Sequence, residues 1–162
     1  MDKKVAIIAI STLILDQISK IVVASIVHLN EMVSVIKGFF YITYSENTGA
    51  AFSILEGRSM LLIVVSLAVL AVLFRYYKSL KSTILSKISF GLLYGGIVSN
   101  LIDRIFLGYV RDFLKFDIFG YHFPIFNIAD SAIVIGALLL AICMFRGDDV
   151  VENSSRKSRR AS

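Results

Sequence analysis

The chain has 162 residues, room for one domain, with 57% hydrophobic residues, 18% charged residues and a net charge of +5. Soluble domains carry about one-quarter charged residues, and a soluble fold of this length could not hide so much apolar surface. An ordinary soluble domain is excluded, and four apolar runs near 5–27, 59–77, 84–107 and 124–145 are each close to the ~20 residues a helix needs to cross a bilayer.

The first run follows Lys3 and Lys4, as the apolar stretch of a secretory signal does. It is longer than such a stretch, carries Asp16 and Lys20, and has no small-residue cleavage site behind it, so it is expected to stay in the mature protein. Asp16 and Lys20 stand four apart and share a helix face. Their charges partly neutralise one another or pair with neighbouring helices, an architectural role. Residues 28–58 follow as a loop. Within it VSVIKGFFYITY (33–44) is β-branched and aromatic around Gly38, which predicts one or two short strands. A strand pair there makes a small platform on the membrane surface; an amphipathic surface loop is the plainer alternative. In the polar turn that follows, Asn47 either makes a turn with Gly49 or contacts another peptide backbone, and both readings stand.

The second and third runs are joined by a short basic connection at 76–83, which predicts antiparallel neighbours. Gly91 and Gly95 have G-x-x-x-G spacing, with Gly96 next, a pattern that close helix approach explains. Asn100, Asp103 and Arg104 share one face near the end of the third run. The connection 108–123 carries Asp112, and the fourth run opens with Asn127 and Asp130 three residues apart. Cys143 is expected to be a packing residue: a lone cysteine forms no internal disulfide, and neither it nor His28 or His122 has a second ligand at metal spacing. The tail from Gly147 is polar, rich in Ser and Arg, and expected to be disordered.

Basic residues outside the runs or near their ends divide unevenly. Lys3, Lys4, Arg75, Lys78, Lys81, Lys87, Arg146, Arg156, Lys157, Arg159 and Arg160 fall on one side; Lys37, Arg58, Arg111 and Lys115 fall on the other. The positive-inside bias then puts both termini in the cytoplasm and the 28–58 and 108–123 segments outside. The basic tail is expected against anionic lipid headgroups, not nucleic acid.

Ionisable residues inside a bilayer cost at least ~2.5–3.5 kcal/mol each at a helix centre and usually face the bundle interior. Here nearly all of them gather in the outer half, and the inner halves of the second, third and fourth runs carry no acidic residue. That asymmetry predicts a site opening toward the outer face. Two carboxylates from separate elements suit water-mediated amide hydrolysis. One takes a proton from water while the other, protonated, polarises the carbonyl; like charges held close share that proton. Asp112 and Asp130 are the candidate pair.

The segments DQISK (16–20), ENTGAAFSI (46–54), GGIVSNLIDRI (95–105), YVRDF (109–113) and FNIADSAI (126–133) resemble, in order and spacing, the motif blocks of the lipoprotein signal peptidases, or signal peptidase II. The resemblance covers residues 5–145. It implies an all-α integral membrane fold, a four-transmembrane-helix bundle with a small extracytoplasmic β-structured loop region. It implies an aspartic endopeptidase of the bacterial cell membrane, sensitive to globomycin, with Asp112 and Asp130 as its catalytic residues. Asp16, Lys20, Asn47, Asn100, Asp103, Arg104 and Asn127 become the supporting or substrate-binding residues. The implied substrate is a prolipoprotein whose lipobox cysteine already carries diacylglyceryl, cleaved just before that cysteine. Membrane lipids are the other partner, a monomer is expected, and neither metal nor organic cofactor is needed. Two departures stand out. Ser99 occupies a position that is often Gly, small enough to keep helices close; Arg111 replaces a common apolar residue and is expected to point to solvent or headgroups.

Two other classes compete. A small transporter or proton relay also lines its path with intramembrane Asp and Lys, but here the polar groups do not continue to the cytoplasm. A purely structural subunit would use the same pairs as helix glue. Proteolysis lost on substituting Asp112 or Asp130, against flux in proteoliposomes, separates them.

Overall fold

The structure, a computed structural model, describes residues 2–49, 56–80 and 82–146. The tail from Gly147, and the expectation of disorder made for it, lie outside the described residues. Four long helices, α1 (Lys3–Ile26), α2 (Ser59–Tyr77), α3 (Ile84–Leu107) and α4 (Ile128–Phe145), carry the apolar runs. At ~1.5 Å rise per residue, even the 18-residue α4 spans about 27 Å, close to the thickness of a hydrocarbon core. All four are long and apolar enough to cross a membrane.

Side-chain caps mark three of the helix starts. Asp2 accepts from Lys4 N–H, Thr83 and Ser86 form a reciprocal capping box on α3, and Asn127 and Asp130 form another on α4. Residues 124–127, apolar enough to suggest more helix, lie outside α4, and Asn127 has extended backbone. Phe126 forms an antiparallel bridge with Leu114, and Pro124 restricts the residue before it to extended backbone.

Helix α3 is the centre of the bundle and packs against the other three. Glycine makes this possible. A Cβ on Gly95 would lie 2.5 Å from Ala9 O of α1, and one on Gly96 would lie 2.6 Å from Ala129 O of α4. The small residues therefore serve two helix contacts on two faces, not one. Ser89 Oγ donates to Gly136 O of α4 at 2.8 Å, satisfying a hydroxyl that is fully buried. Around Phe90 a core of Val5, Leu73, Leu93, Tyr94 and Ile97 fills one end of the bundle. Helix α2 is peripheral, with only Leu62 and Leu73 of its side chains buried. Much of the remaining apolar surface, including Ile7, Ile18, Val64, Leu67 and Leu138, faces outward. That surface suits a lipid environment.

Beyond the helices lies a four-stranded antiparallel sheet in the order β1-β2-β3-β4, formed by β1 (Met32–Ile36), β2 (Phe40–Asn47), β3 (Val110–Ile118) and β4 (Tyr121–His122). The predicted strand pair around Gly38 is β1 and β2, joined by a turn in which Gly38 takes φ 76°. The other half of the sheet comes from 108–123, which the sequence presented only as a connection. A cluster of Val23, Val27 and Phe113, with Ile42, Tyr44, Leu114 and Ile128 around it, fastens the sheet to the ends of α1 and α4.

Candidate active site

Helix α3 carries Asn100, Asp103 and Arg104 in its last turns and stops at Gly108. That glycine adopts the left-handed φ of 86°, and its N–H returns to Arg104 O. The tight reversal brings β3 back beside the helix end, so that Arg111 N–H reaches Asp103 Oδ2 at 3.1 Å. Next along the strand is Asp112, 2% exposed. Strand β2 lies alongside, with Ser45 opposite Asp112 and Asn47 opposite Val110.

Two asparagines grip the Asp112 carboxylate. Asn47 Nδ2 donates to Oδ2 at 2.8 Å and Asn127 Nδ2 donates to Oδ1 at 2.6 Å. Asn47 Oδ1 meanwhile accepts from Gly49 N–H at 2.9 Å, so the expected turn with Gly49 coexists with a bond to Asp112. Asn127 is also the N-cap of α4. Its Oδ1 accepts from Asp130 N–H at 2.8 Å, and Asp130 Oδ2 accepts from Asn127 N–H at 3.2 Å. The other Asp130 oxygen accepts from Asn100 Nδ2 at 2.7 Å. One capping asparagine thus touches both carboxylates. Both line a cleft of about 590 Å³, whose other walls include Val110, Phe123, Pro124, Phe126, Ile133 and Val134. Burial, with the Asp130 charge beside it, pushes the Asp112 carboxyl up to about 7; the Asn47 and Asn127 bonds oppose this.

Arg104 also lines the cleft, and its charge acts on both Asp130 and Asp112. One guanidinium nitrogen donates to Gly49 O at 3.0 Å, while Nε has no hydrogen-bond partner among the described residues. The part of the ENTGAAFSI block from position 50 to 54 lies outside the described residues.

Behind the carboxylates is a second polar layer. Lys20 Nζ lies 2.7 Å from Asp16 Oδ2 and 3.3 Å from Asp103 Oδ2, with all three side chains fully buried, and it donates to Asn100 Oδ1 at 2.8 Å. Asp16 accepts from Ala129 N–H and from Ser99 Oγ, which ties α1 to the first turn of α4 and to α3. Ser99 thus supplies a hydroxyl where the sequence promised only small size.

The expectation for Arg111 is overturned. Its guanidinium turns inward onto Asp103, at 2.7 Å to Oδ1, and onto Gln17 Oε1 at 2.8 Å. The physical reason is the second buried carboxylate. Lys20 is shared between Asp16 and Asp103, and a buried charge left half-compensated is expensive. Arg111 completes the compensation. Gln17 went unnoticed in the sequence, although an amide in an apolar run is itself a signal: it donates to Ser99 and to Asp103 Oδ1.

The signal peptidase (SPase) II family profile matches residues 8–146, a range that holds every residue of this site. The chain belongs to that family. The lipoprotein signal peptidase of Halothermothrix orenii is 41% identical over 146 residues, covering 90% of this chain and 98% of its own. That of Staphylococcus carnosus is 43% identical over 138 residues, covering 85% and 87%. Two solved structures described as bacterial membrane enzymes, determined by the in meso method, share the fold. One, at 2.3 Å, gives a TM-score of 0.81 at 34% identity over 88% of this chain and 87% of its own. The other, at 1.9 Å, gives 0.77 at 35% identity over 86% and 91%. The chain is therefore an enzyme, a protease of a bacterial membrane family.

Proposed function

We propose that this signal peptidase II removes signal peptides from diacylglyceryl-modified bacterial prolipoproteins, cutting on the N-terminal side of the lipidated cysteine, with Asp112 and Asp130 as the catalytic pair. The observation that carries the reading is the position of both carboxylates. They are held by one asparagine and stand in the wall of a cleft lined mostly by apolar side chains, with Asn47, Arg104 and Ser131 beside them. An apolar cleft between membrane-length helices suits a signal helix, and lipid chains on the cysteine remain in the bilayer.

In the reaction the ionised carboxylate takes a proton from water as the water oxygen adds to the scissile carbonyl carbon. The protonated partner gives its proton to the carbonyl oxygen. Collapse of the diol breaks the C–N bond: the departing amine takes the proton collected from water, and the other carboxylate recovers one from the diol. The pair returns to one shared proton. Arg104 and the asparagines hold the carboxylates and the peptide in register, and the Asp16, Lys20, Asp103 and Arg111 layer braces them. The charge bias of the connections supports cytoplasmic termini with the sheet and cleft toward the outer face.

The test is cleavage of a diacylglyceryl-modified precursor by the purified enzyme. Asp112→Asn and Asp130→Asn are each expected to lose activity by at least about a thousandfold while remaining inserted and folded. Retained processing in both would remove the assignment. Globomycin inhibition is a second check.

A further inference from the structure

Arg111 is not in the wall of the cleft, yet it makes a dense set of bonds one residue from Asp112. Its backbone N–H and Nε both donate to Asp103 Oδ2, at 3.1 and 3.2 Å, and its terminal nitrogen donates to Oδ1 at 2.7 Å. The same nitrogen reaches Gln17 Oε1 at 2.8 Å, and Gln17 Nε2 returns to Asp103 Oδ1 at 2.9 Å. Three side chains from α1, α3 and β3 close a ring. Asp103 is fully buried and the Arg111 side chain only 14% exposed, so the forked bonds form away from water, where charge-assisted pairs are strong.

The need for such an anchor is visible in the strand. The β2–β3 ladder runs regularly to Ile42 opposite Leu114, then shifts register before Ser45 meets Asp112. On the other side, Phe113 and Leu114 both donate to the single acceptor Phe126 O. Strand pairing is therefore irregular just where Asp112 must be placed, and backbone direction at a bulge is set by whatever else holds it.

We propose that Arg111 is a positioning residue: by forking onto Asp103 and Gln17 it fixes the β3 backbone beside Asp112 and keeps that carboxylate within reach of Asn47 and Asn127. The inference rests on the peptidase reading of Asp112. Arg111 also sets local charge. Around Arg111 stand Gln17 and the charged Asp16 of α1, Asp103 of α3 and Tyr44 of β2, with Glu46 of β2 opposite it in the ladder, while Asp112 is faced by Asp130 of α4, Lys20 of α1 and Arg104 of α3. Without the guanidinium, Asp16 and Asp103 share Lys20 alone, and the excess negative charge makes Asp112 hold its proton to higher pH.

The experiment compares wild type, Arg111→Leu, Arg111→Lys and Gln17→Ala in detergent, over a pH series, on a diacylglyceryl-modified precursor. Arg111→Leu is expected to lower kcat at least about tenfold with KM within about twofold, and to move the alkaline limb of the pH profile upward. Arg111→Lys restores the limb but only part of kcat, because an ammonium cannot fork across Asp103 and reach Gln17 together. Where Arg111→Leu does not fold, Gln17→Ala carries the test: it removes the second acceptor of Arg111 together with a donor to Asp103 and Ser99, leaves Arg111 in place, and lowers kcat in the same sense. Unchanged kcat and pH profile in the folded variants overturn the proposal, as does a rise in KM alone or full recovery of kcat by lysine. A wild type that cleaves nothing sinks the peptidase reading itself, so the two failures are distinguishable.

Discussion

Asp112 shows how much of the chemistry is set by a few ångströms of surroundings. The same carboxyl in water would ionise near ~3.9; here burial and the neighbouring Asp130 lift it to about 7. In the proposed mechanism the pair works with one proton, which it loses as pH rises through the range where Asp112 titrates. We expect kcat/KM to fall on the alkaline side of about 7, measured as a pH–rate profile with the lipidated precursor. The same group affects stability with a definite sign. Its folded pKa is raised, so the folded state holds the proton where the unfolded state has released it. Stability then declines as pH climbs from the unfolded carboxyl value toward about 7 and is level above. Asp112→Asn is expected to flatten that decline in thermal melts of the detergent-solubilised enzyme. Asp130 shows a different economy: one oxygen closes the α4 capping box and the other takes the Asn100 amide. The structural and functional accounts of this residue are therefore both served by one side chain.

Among the elements, α3 does most of the positioning. It supplies Asn100, Asp103 and Arg104 to the site and the glycine faces to the bundle, so errors in its packing propagate to the carboxylates. Gly95→Ala puts a Cβ 2.5 Å from a backbone oxygen of α1, which cannot move without moving the helix. The expected cost is about 1–3 kcal/mol, the range for overpacking a filled interior, read as a lowered unfolding midpoint in detergent. Cleavage should weaken as well, since α1 brings Asp16, Gln17 and Lys20 to the same end. The sheet is the second positioning element. It carries Asn47 and Asp112 on adjacent strands and closes against Phe126, so the carboxylate pair is assembled from a strand and a helix start.

For the whole molecule, the polar site, the sheet and the start of α4 lie at one end, and the Phe90 core, with Tyr76 and Tyr77 at the end of α2 and Leu80 just past it, lies at the other. The proposed orientation has a direct readout. Ser34→Cys on β1 and Ser79→Cys after α2 are both at exposed positions, while the native Cys143 is fully buried and gives little background. A membrane-impermeant maleimide is expected to label position 34 in intact cells and position 79 only after permeabilisation. The reverse pattern would turn the molecule over and place the cleft on the wrong side for an exported substrate.

Membrane-length helices, the strand pair around Gly38, the polar faces of α1 and α3 and the candidate carboxylates were legible in the chain, because hydropathy, β-branching and helical spacing are local properties. Asp16 with Lys20, and Asn127 with Asp130, are close in sequence, so periodicity alone could pair them. What lay beyond sequence was everything made by contacts between distant segments. Strand β3 does alternate over Leu114–Ile118 between Gly108 and Gly120, a local signal passed over beside the motif at Asp112, but its partner β2 lies some seventy residues earlier and no local pattern names it. Arg111 points inward because a buried Asp103 on another element needs a second cation, and Gln17 matters because that guanidinium arrives beside it. Local pattern thus determined which segments are long and apolar enough to cross a bilayer and which residues were costly enough to need a purpose. Only the packed molecule decided who compensates whom, because compensation of buried charge depends on distances between elements that no single stretch of chain contains.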